Sequence, residues 1–422
     1  MKIKGLRWWI IALIGIATII NYIDRSALSI MWPAMGKDLG MDDSDYALIL
    51  NLFMIAYAIG QSVSGKMFDK IGTRMGYVIA IFIWSLSSLF HFAVRGLYSL
   101  AFVRLLLGIS EAGNWPGAVK SNAEWFPMKE RAVAQGIFNA GASIGSVIAP
   151  PFIAFMYAGF GWKTTFIIIG SMGIVWIIPW LIINKKQPAQ HPWITEEEKL
   201  HITGGNPANE VAEAKAAPAL SLKEILSHRE AWGVVVCRFF LEPIWWLFVG
   251  WMPLYLQKTY GFDVKQIGLF AWVPYVGAAL GSIAGGWYAG NVIARTHSVD
   301  KGRKNAIIIA GVIMFLGLLA TIFLGNTPLK FVVIVSFVLF GFQFAIGNVQ
   351  TLPSDLFNRK SVGTLAGFGG TIGVVSVIIM NFLIPVITKT SYTPAFIIIA
   401  AFVPLGVLSV FTFIKKIKQV RE

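Results

Sequence analysis

Apolar runs of about 20 residues, each long enough to cross a bilayer as a helix, recur along this whole chain and leave little room for any other fold. They lie near residues 8 to 32, 46 to 68, 75 to 94, 97 to 120, 132 to 158 and 162 to 183, then near 231 to 257, 266 to 290, 304 to 325, 330 to 351, 362 to 388 and 393 to 414. The spacing predicts an all-α polytopic membrane protein with 12 transmembrane helices, six in each half. A composition of 56% hydrophobic and 13% charged residues excludes an ordinary soluble multidomain protein. Between the halves, Lys185, Lys186, Glu196 to Glu198 and an Ala/Pro/Glu/Lys patch make a stretch too polar and low in complexity to build its own core. The expected division is a six-helix bundle over residues 1–183, a cytoplasmic linker over 184–230 and a second six-helix bundle over 231–422.

The net charge of +14 would suit nucleic acid on a soluble protein, but here the basic residues sit in short segments between apolar runs. No nucleic-acid partner is expected; the lipid bilayer is. About 24 of the 35 Lys and Arg fall in the N-terminus, the even-numbered loops and the tail, which by the positive-inside rule puts both termini in the cytoplasm. Lys2, Lys4 and Arg7 precede an apolar run that is too long for a signal peptide and has no small-residue cleavage site, so it reads as a retained first helix. A single cysteine, Cys237, and scattered histidines leave no disulfide, metal site or redox cofactor to expect.

Charges within the apolar runs narrow the function. Each is costly, at least ~2.5 kcal/mol at the centre of a span, and such groups usually face a partner or a water-filled path. The fourth span carries Arg104 and Glu111, two helical turns apart on one face at roughly 10 Å, with Gly108 between them permitting close helix contact. The first span carries Asp24 and Arg25, and the seventh carries Arg238 and Glu242 at i,i+4, followed by Pro243, Trp245 and Trp246. Each pair has two readings: a structural ion pair, or a cation that receives a substrate carboxylate beside a carboxylate that exchanges protons. On the functional reading Arg25 meets the substrate, Asp24 and Glu111 carry protons, and Arg104 sets their affinity. Lys120, past Pro116, either snorkels to the cytoplasmic surface or meets the anion on its way out. Asn51, Tyr57, Gln61, Asn139, Tyr275, Gln343, Asn348 and Gln350 recur in helices that would line a cavity, and as a set suit a polyhydroxylated substrate. Gly141 and Gly145 favour a close helix crossing, and Pro150 with Pro151 would weaken the fifth span, as suits a helix that bends.

Between the second and third spans lies GKMFDKIGTR, with Gly65, Asp69, Lys70, Gly72 and Arg74. It resembles the G-x-x-x-D-K/R-x-G-x-R/K signature of the major facilitator superfamily, which implies a gating role for this loop. Its counterpart in the second half, Gly286 to Lys304, keeps Gly286, Gly290, Arg303 and Lys304 but lacks the aspartate. With NYIDR, the R-x-x-x-G-x-x-E of the fourth span, and EWFPMKERAVAQGIFN, the chain resembles the anion:cation symporter family of the major facilitators. KIKGLRWW, NAGASIGSVIAPP and RFFLEPIWW extend the likeness to the bacterial hexuronate transporters. The resemblance runs nearly end to end and implies the major facilitator fold, with two pseudo-symmetric bundles and alternating access to one central site. It further implies proton-coupled import of galacturonate or glucuronate across a bacterial inner membrane, here by a monomer, with protons and a sugar-acid anion as partners. Two departures bear on the substrate. Asp24 is shared with aldonate and aldarate carriers rather than with enterobacterial hexuronate carriers, and the glutamine and asparagine that hold sugar acid in the galactonate branch align with Ala142 and Gly370.

A membrane enzyme is the competing class. It would need a His-Asp or Asp-x-Asp cluster at a membrane face or a soluble catalytic domain, and the chain has neither. A transporter-like sensor would signal through the linker, which carries no recognisable output motif.

Overall fold

The computed structural model describes residues 2–203, 220–357 and 359–418. The Ala/Pro/Glu/Lys patch of the expected linker lies outside them. Among the described residues there is no strand beyond one isolated bridge, and nine helical segments are long and apolar enough to cross a membrane. The chain separates into two units, Met1–Asn209 with Phe262–Leu269, and Glu210–Gly261 with Phe270–Glu422.

In the first unit, α1 (Leu6–Leu39) packs on α5 (Met128–Ile183), and α2 (Asp43–Phe90) packs on α3 (Leu97–Glu111) and α4 (Asn114–Trp125). Two of these rods are too long for one crossing, and glycine divides each. At Gly72 (φ 79°) and Gly161 (φ 73°) the backbone takes a left-handed conformation that costs a glycine little and most residues much. The apolar runs expected at 46 to 68 and 75 to 94 therefore lie on either side of Gly72, and those at 132 to 158 and 162 to 183 on either side of Gly161. Pro150 and Pro151, expected to weaken the fifth span, sit inside a helix that departs from helical angles only at Gly161.

The expected fourth span is interrupted. It ends as α3 at Glu111 and resumes as α4 at Asn114, and at 15 and 12 residues neither piece alone spans a bilayer core. Pro116 accounts for the position, because it has no N–H for the Ala112 carbonyl and its ring crowds that same group. Glycines set the close crossings: a Cβ at Gly108 would stand 2.5 Å from the Phe53 carbonyl oxygen, and one at Gly141 2.5 Å from that of Gly15. The first part of the expected linker folds back. Ile3 N–H donates to the Trp193 carbonyl at 2.7 Å, and the buried carboxylate of Glu198, on α6 (Glu196–Thr203), accepts from the Leu6 and Arg7 backbone amides at 3.0 and 3.1 Å. Gly5 offers α1 no side-chain cap, so Glu198 satisfies its first-turn N–H groups from 192 and 191 residues away in sequence. Arg7 then bridges Glu198 and Glu130, each at 2.9 Å.

In the second unit, α7 (Leu222–Ser227) leads into α8 (Arg229–Tyr260); the short helix α9 (Val264–Phe270) belongs, except for Phe270, to the first unit, and the chain resumes in the second as α10 (Val273–Thr296). These are followed by α11 (Val299–Leu324), α12 (Pro328–Leu356), α13 (Arg359–Ile387) and α14 (Thr393–Phe413). Here α8 packs on α13 and α14, and α12 packs on α10 and α11.

Candidate functional site

The charges of the first and fourth spans meet inside the first unit. Asp24 and Arg25 are sequence neighbours, so their side chains leave α1 about 100° apart and cannot both take one partner. Arg25 turns to α3, where its Nε and Nη2 donate to one oxygen of Glu111 at 3.2 and 3.1 Å, and Nη2 also reaches Asn21 Oδ1 at 3.4 Å. Asp24 turns to the second rod of α2, where Ser88 Oγ donates to its Oδ1 at 2.6 Å. The reading in which Asp24 and Arg25 satisfy each other is thus corrected: each bonds a different helix. Asp24 and Glu111 are fully buried, and Arg104 and Arg25 are 1% and 9% exposed.

Aromatic rings hold the cations. The Arg25 guanidinium lies over Tyr57, Tyr22 and Phe53 at 4.8, 5.3 and 5.6 Å from their centroids, and Arg104 lies over Phe53 at 4.7 Å. Phe53 therefore stands against both guanidiniums. Arg104 makes no hydrogen bond through Nε or Nη1, and Asp24 Oδ2 and Glu111 Oε1 are likewise without partners. A cation with spare donors and two carboxylates with spare oxygens thus share one buried site. Below them Asn114 Nδ2 donates to Thr18 Oγ1 at 3.1 Å, continuing the polar contact between α1 and α4.

The second-half pair forms within one helix. Arg238 Nη2 and Nε donate to Glu242 Oε1 at 2.6 and 3.1 Å, Nη1 donates to the Ala366 carbonyl at 3.2 Å, and both side chains are about 15% exposed. The guanidinium lies against α13 where side chains are missing: a Cβ at Gly370 would stand 3.2 Å from Nη1. Trp245 stacks on Phe342 and meets Tyr275 edge-on, whereas Trp246 and Gln343 are half-buried. Asn348 is engaged locally, donating to the Phe344 and Gly285 carbonyls and accepting from Arg303, so its amide is used in packing. Asn51 is buried, while Gln61, Asn139 and Gln350 are exposed.

Of the loop motif, Asp69 accepts from Lys120 Nζ at 2.7 Å, and Lys120 also donates to the Phe68 carbonyl. Lys120 is thereby placed with the motif rather than with the buried charges. Lys70 is exposed, Gly65 half-buried, and Arg74 lends its carbonyl to Trp180 Nε1 at 3.0 Å. The second half closes the equivalent contact with the charges exchanged: Arg303, at the start of α11, donates to Asp355 of α12 at 3.0 Å. Ser88 is the site residue that sequence reading missed. Its only signal was the serine-rich stretch SLSSLFH in an otherwise apolar span.

A profile of the Major Facilitator Superfamily matches residues 14–381, and the chain belongs to that superfamily: it is a multi-pass membrane transporter and not an enzyme. It is 32% identical to the hexuronate transporter of Escherichia coli (strain K12), covering 98% of this chain and 95% of that protein. It is 36% identical to the galacturonate transporter of Dickeya chrysanthemi over 68% of this chain and 82% of that one. It is also 29% identical to the Escherichia coli (strain K12) protein named "Probable galactarate/D-glucarate transporter GudP", over 99% and 96%. Among solved structures, a bacterial homolog of the human lysosomal transporter Spinster, inward-facing and unoccupied, superposes with a TM-score of 0.73 at 17% identity over 98% of both chains. That likeness concerns the fold alone.

Proposed function

We propose that this transporter is a proton-coupled symporter that imports hexuronates, galacturonate or glucuronate, by alternating access, with twelve spans in two six-helix bundles and both termini cytoplasmic. The observation that carries the reading is the buried Arg25–Glu111 pair, supported by relatives named for hexuronate and galacturonate transport. A guanidinium is the side chain best matched to a carboxylate, and here a carboxylate of the protein already occupies it. Protonating Glu111 removes that competitor and leaves Arg25, still held by Tyr22, Phe53 and Tyr57, for the carboxylate of the substrate. Where protons are scarce, Glu111 loses its proton, takes Arg25 back and displaces the anion. Proton and anion thus travel in one direction. Asp24 is the second proton site, and Arg104 is the fixed charge that both carboxylates sense.

A second reading keeps the mechanism and changes the sugar acid to an aldarate or aldonate. Asp24 and the relative named for galactarate and glucarate favour it. Uptake of labelled galacturonate into proteoliposomes, with and without an inward proton gradient, tests both. Gradient-driven accumulation competed by glucuronate supports the hexuronate reading, and competition by glucarate or galactonate instead selects the second. Accumulation of none of galacturonate, glucuronate, glucarate and galactonate by folded protein would sink both.

A further inference from the structure

We infer that Ser88 is a positioning residue for a proton site at Asp24: its hydroxyl, donated from α2, holds one carboxylate oxygen and leaves the other to take the proton. The inference rests on the symport reading above.

Three serines and a histidine lie in this part of α2 and the short turn that follows, and only one hydroxyl reaches across. Ser87 Oγ bonds back to the Ile83 carbonyl at 2.7 Å, and Ser85 Oγ has no partner, whereas Ser88 Oγ meets Asp24 Oδ1 at 2.6 Å. Ser88 and Asp24 are both fully buried. A carboxylate can only accept, so the hydroxyl proton of Ser88 is committed to Oδ1 when Asp24 is ionised. Oδ2 has no hydrogen-bond partner and is therefore the oxygen open to protonation.

The charged groups acting on Asp24 are Glu111 and Arg104 from α3 and Arg25 from its own helix. His91, one turn beyond Ser88 and fully buried, completes the surroundings on the α2 side. Its Nδ1 lies 2.9 and 3.2 Å from the Ser87 and Ser88 carbonyls, which only accept, so Nδ1 carries the proton. Its ring stacks on Phe166 at 4.4 Å. These contacts fix the turn that presents Ser88.

A hydrogen bond donated to a carboxylate is stronger than one donated to the neutral acid, so Ser88 favours ionised Asp24. Removing the hydroxyl strengthens proton binding, and Asp24 then stays protonated to higher pH. The test is the pH profile of gradient-driven galacturonate uptake in proteoliposomes for wild type, S88A, S88T and S88C. We expect the S88A profile to move to higher pH by about one unit, the size of shift one such hydrogen bond produces. S88T, which keeps the hydroxyl, restores the wild-type profile, and S88C, a weaker donor, falls between. If S88A does not reach the membrane, the S88T and S88C profiles carry the comparison. A wild type driven by the gradient, with S88A or S88C profiles unmoved, overturns the role of Ser88 alone. Wild-type uptake that ignores the gradient overturns the symport reading, and this inference with it.

Discussion

The two units contain the same kind of charge pair in opposite settings. In the first, Arg25 and Glu111 lie 86 residues apart on different helices, are buried, and share their site with Arg104 and Asp24, both of which have unpartnered polar atoms. In the second, Arg238 and Glu242 are one turn apart on α8, partly exposed, with the guanidinium held by Glu242 and the Ala366 carbonyl. The difference concerns what changes when one partner becomes neutral. A pair within one helix loses a local contact worth a few tenths of a kcal/mol when exposed. A buried pair between helices leaves an uncompensated charge, and the surrounding helices must respond. On the proposed symport mechanism, the first arrangement is the one suited to convert a proton into a rearrangement, and the proposal places coupling there.

The largest test of the contrast is Glu111→Gln. It should abolish gradient-driven accumulation, because no carboxyl remains there to carry the proton, while calorimetry still detects galacturonate binding. Full concentrative uptake by this variant would count decisively against Glu111 as the proton carrier. Arg25→Lys, which keeps the charge but not the fork, should raise the KM for uptake by about tenfold; an unchanged KM would remove Arg25 from the substrate's path. The matching change in the second unit, Arg238→Lys, should alter uptake by no more than about threefold, since it disturbs a partly exposed i,i+4 pair. A loss as large as that of Arg25→Lys would erase the distinction between the two pairs.

The smallest effect lies at the end of the first bundle, outside the membrane. Burial alone raises the proton affinity of Glu130, but hydrogen bonds from Arg7 and His201 outweigh it and hold the carboxyl below its usual 4.5. A lowered folded-state value means that the contribution of Glu130 to stability is present above pH 4.5 and is lost as pH falls through that lower value. Glu130→Gln should therefore unfold slightly earlier than wild type at pH 7 in a thermal melt, with the gap closing in acid. A gap that stays constant with pH would show that the carboxylate charge is not what joins α1, α5 and α6.

Much of this was legible before any coordinates. The expected spans stop on either side of Gly72 and Gly161, and Gly108 allows the close crossing for which it was singled out, whereas the proline pair expected to weaken the fifth span leaves its helix unbroken. The interruption after Glu111 could have been read from Pro116, four residues beyond Ala112, but an apolar run hides a local break. The linker was read as lacking a core, and its first part instead docks at the start of α1, through the Glu198 and Arg7 contacts and the buried Ile194. Nor could Lys120 be placed, since its partner Asp69 lies on another helix.

By itself the sequence determined the class of fold, the family, and which helices carry charge, because twenty-residue apolar periodicity, helix-breaking residues and short motifs are local properties. Tertiary structure decided the pairing: Arg25 with Glu111, Asp24 with Ser88, Lys120 with Asp69, Arg303 with Asp355. Partnership across helices depends on the rotation and depth of each helix against its neighbour. Those are set by packing along its entire length, as where Gly108 meets the Phe53 backbone, and no local run of residues encodes them.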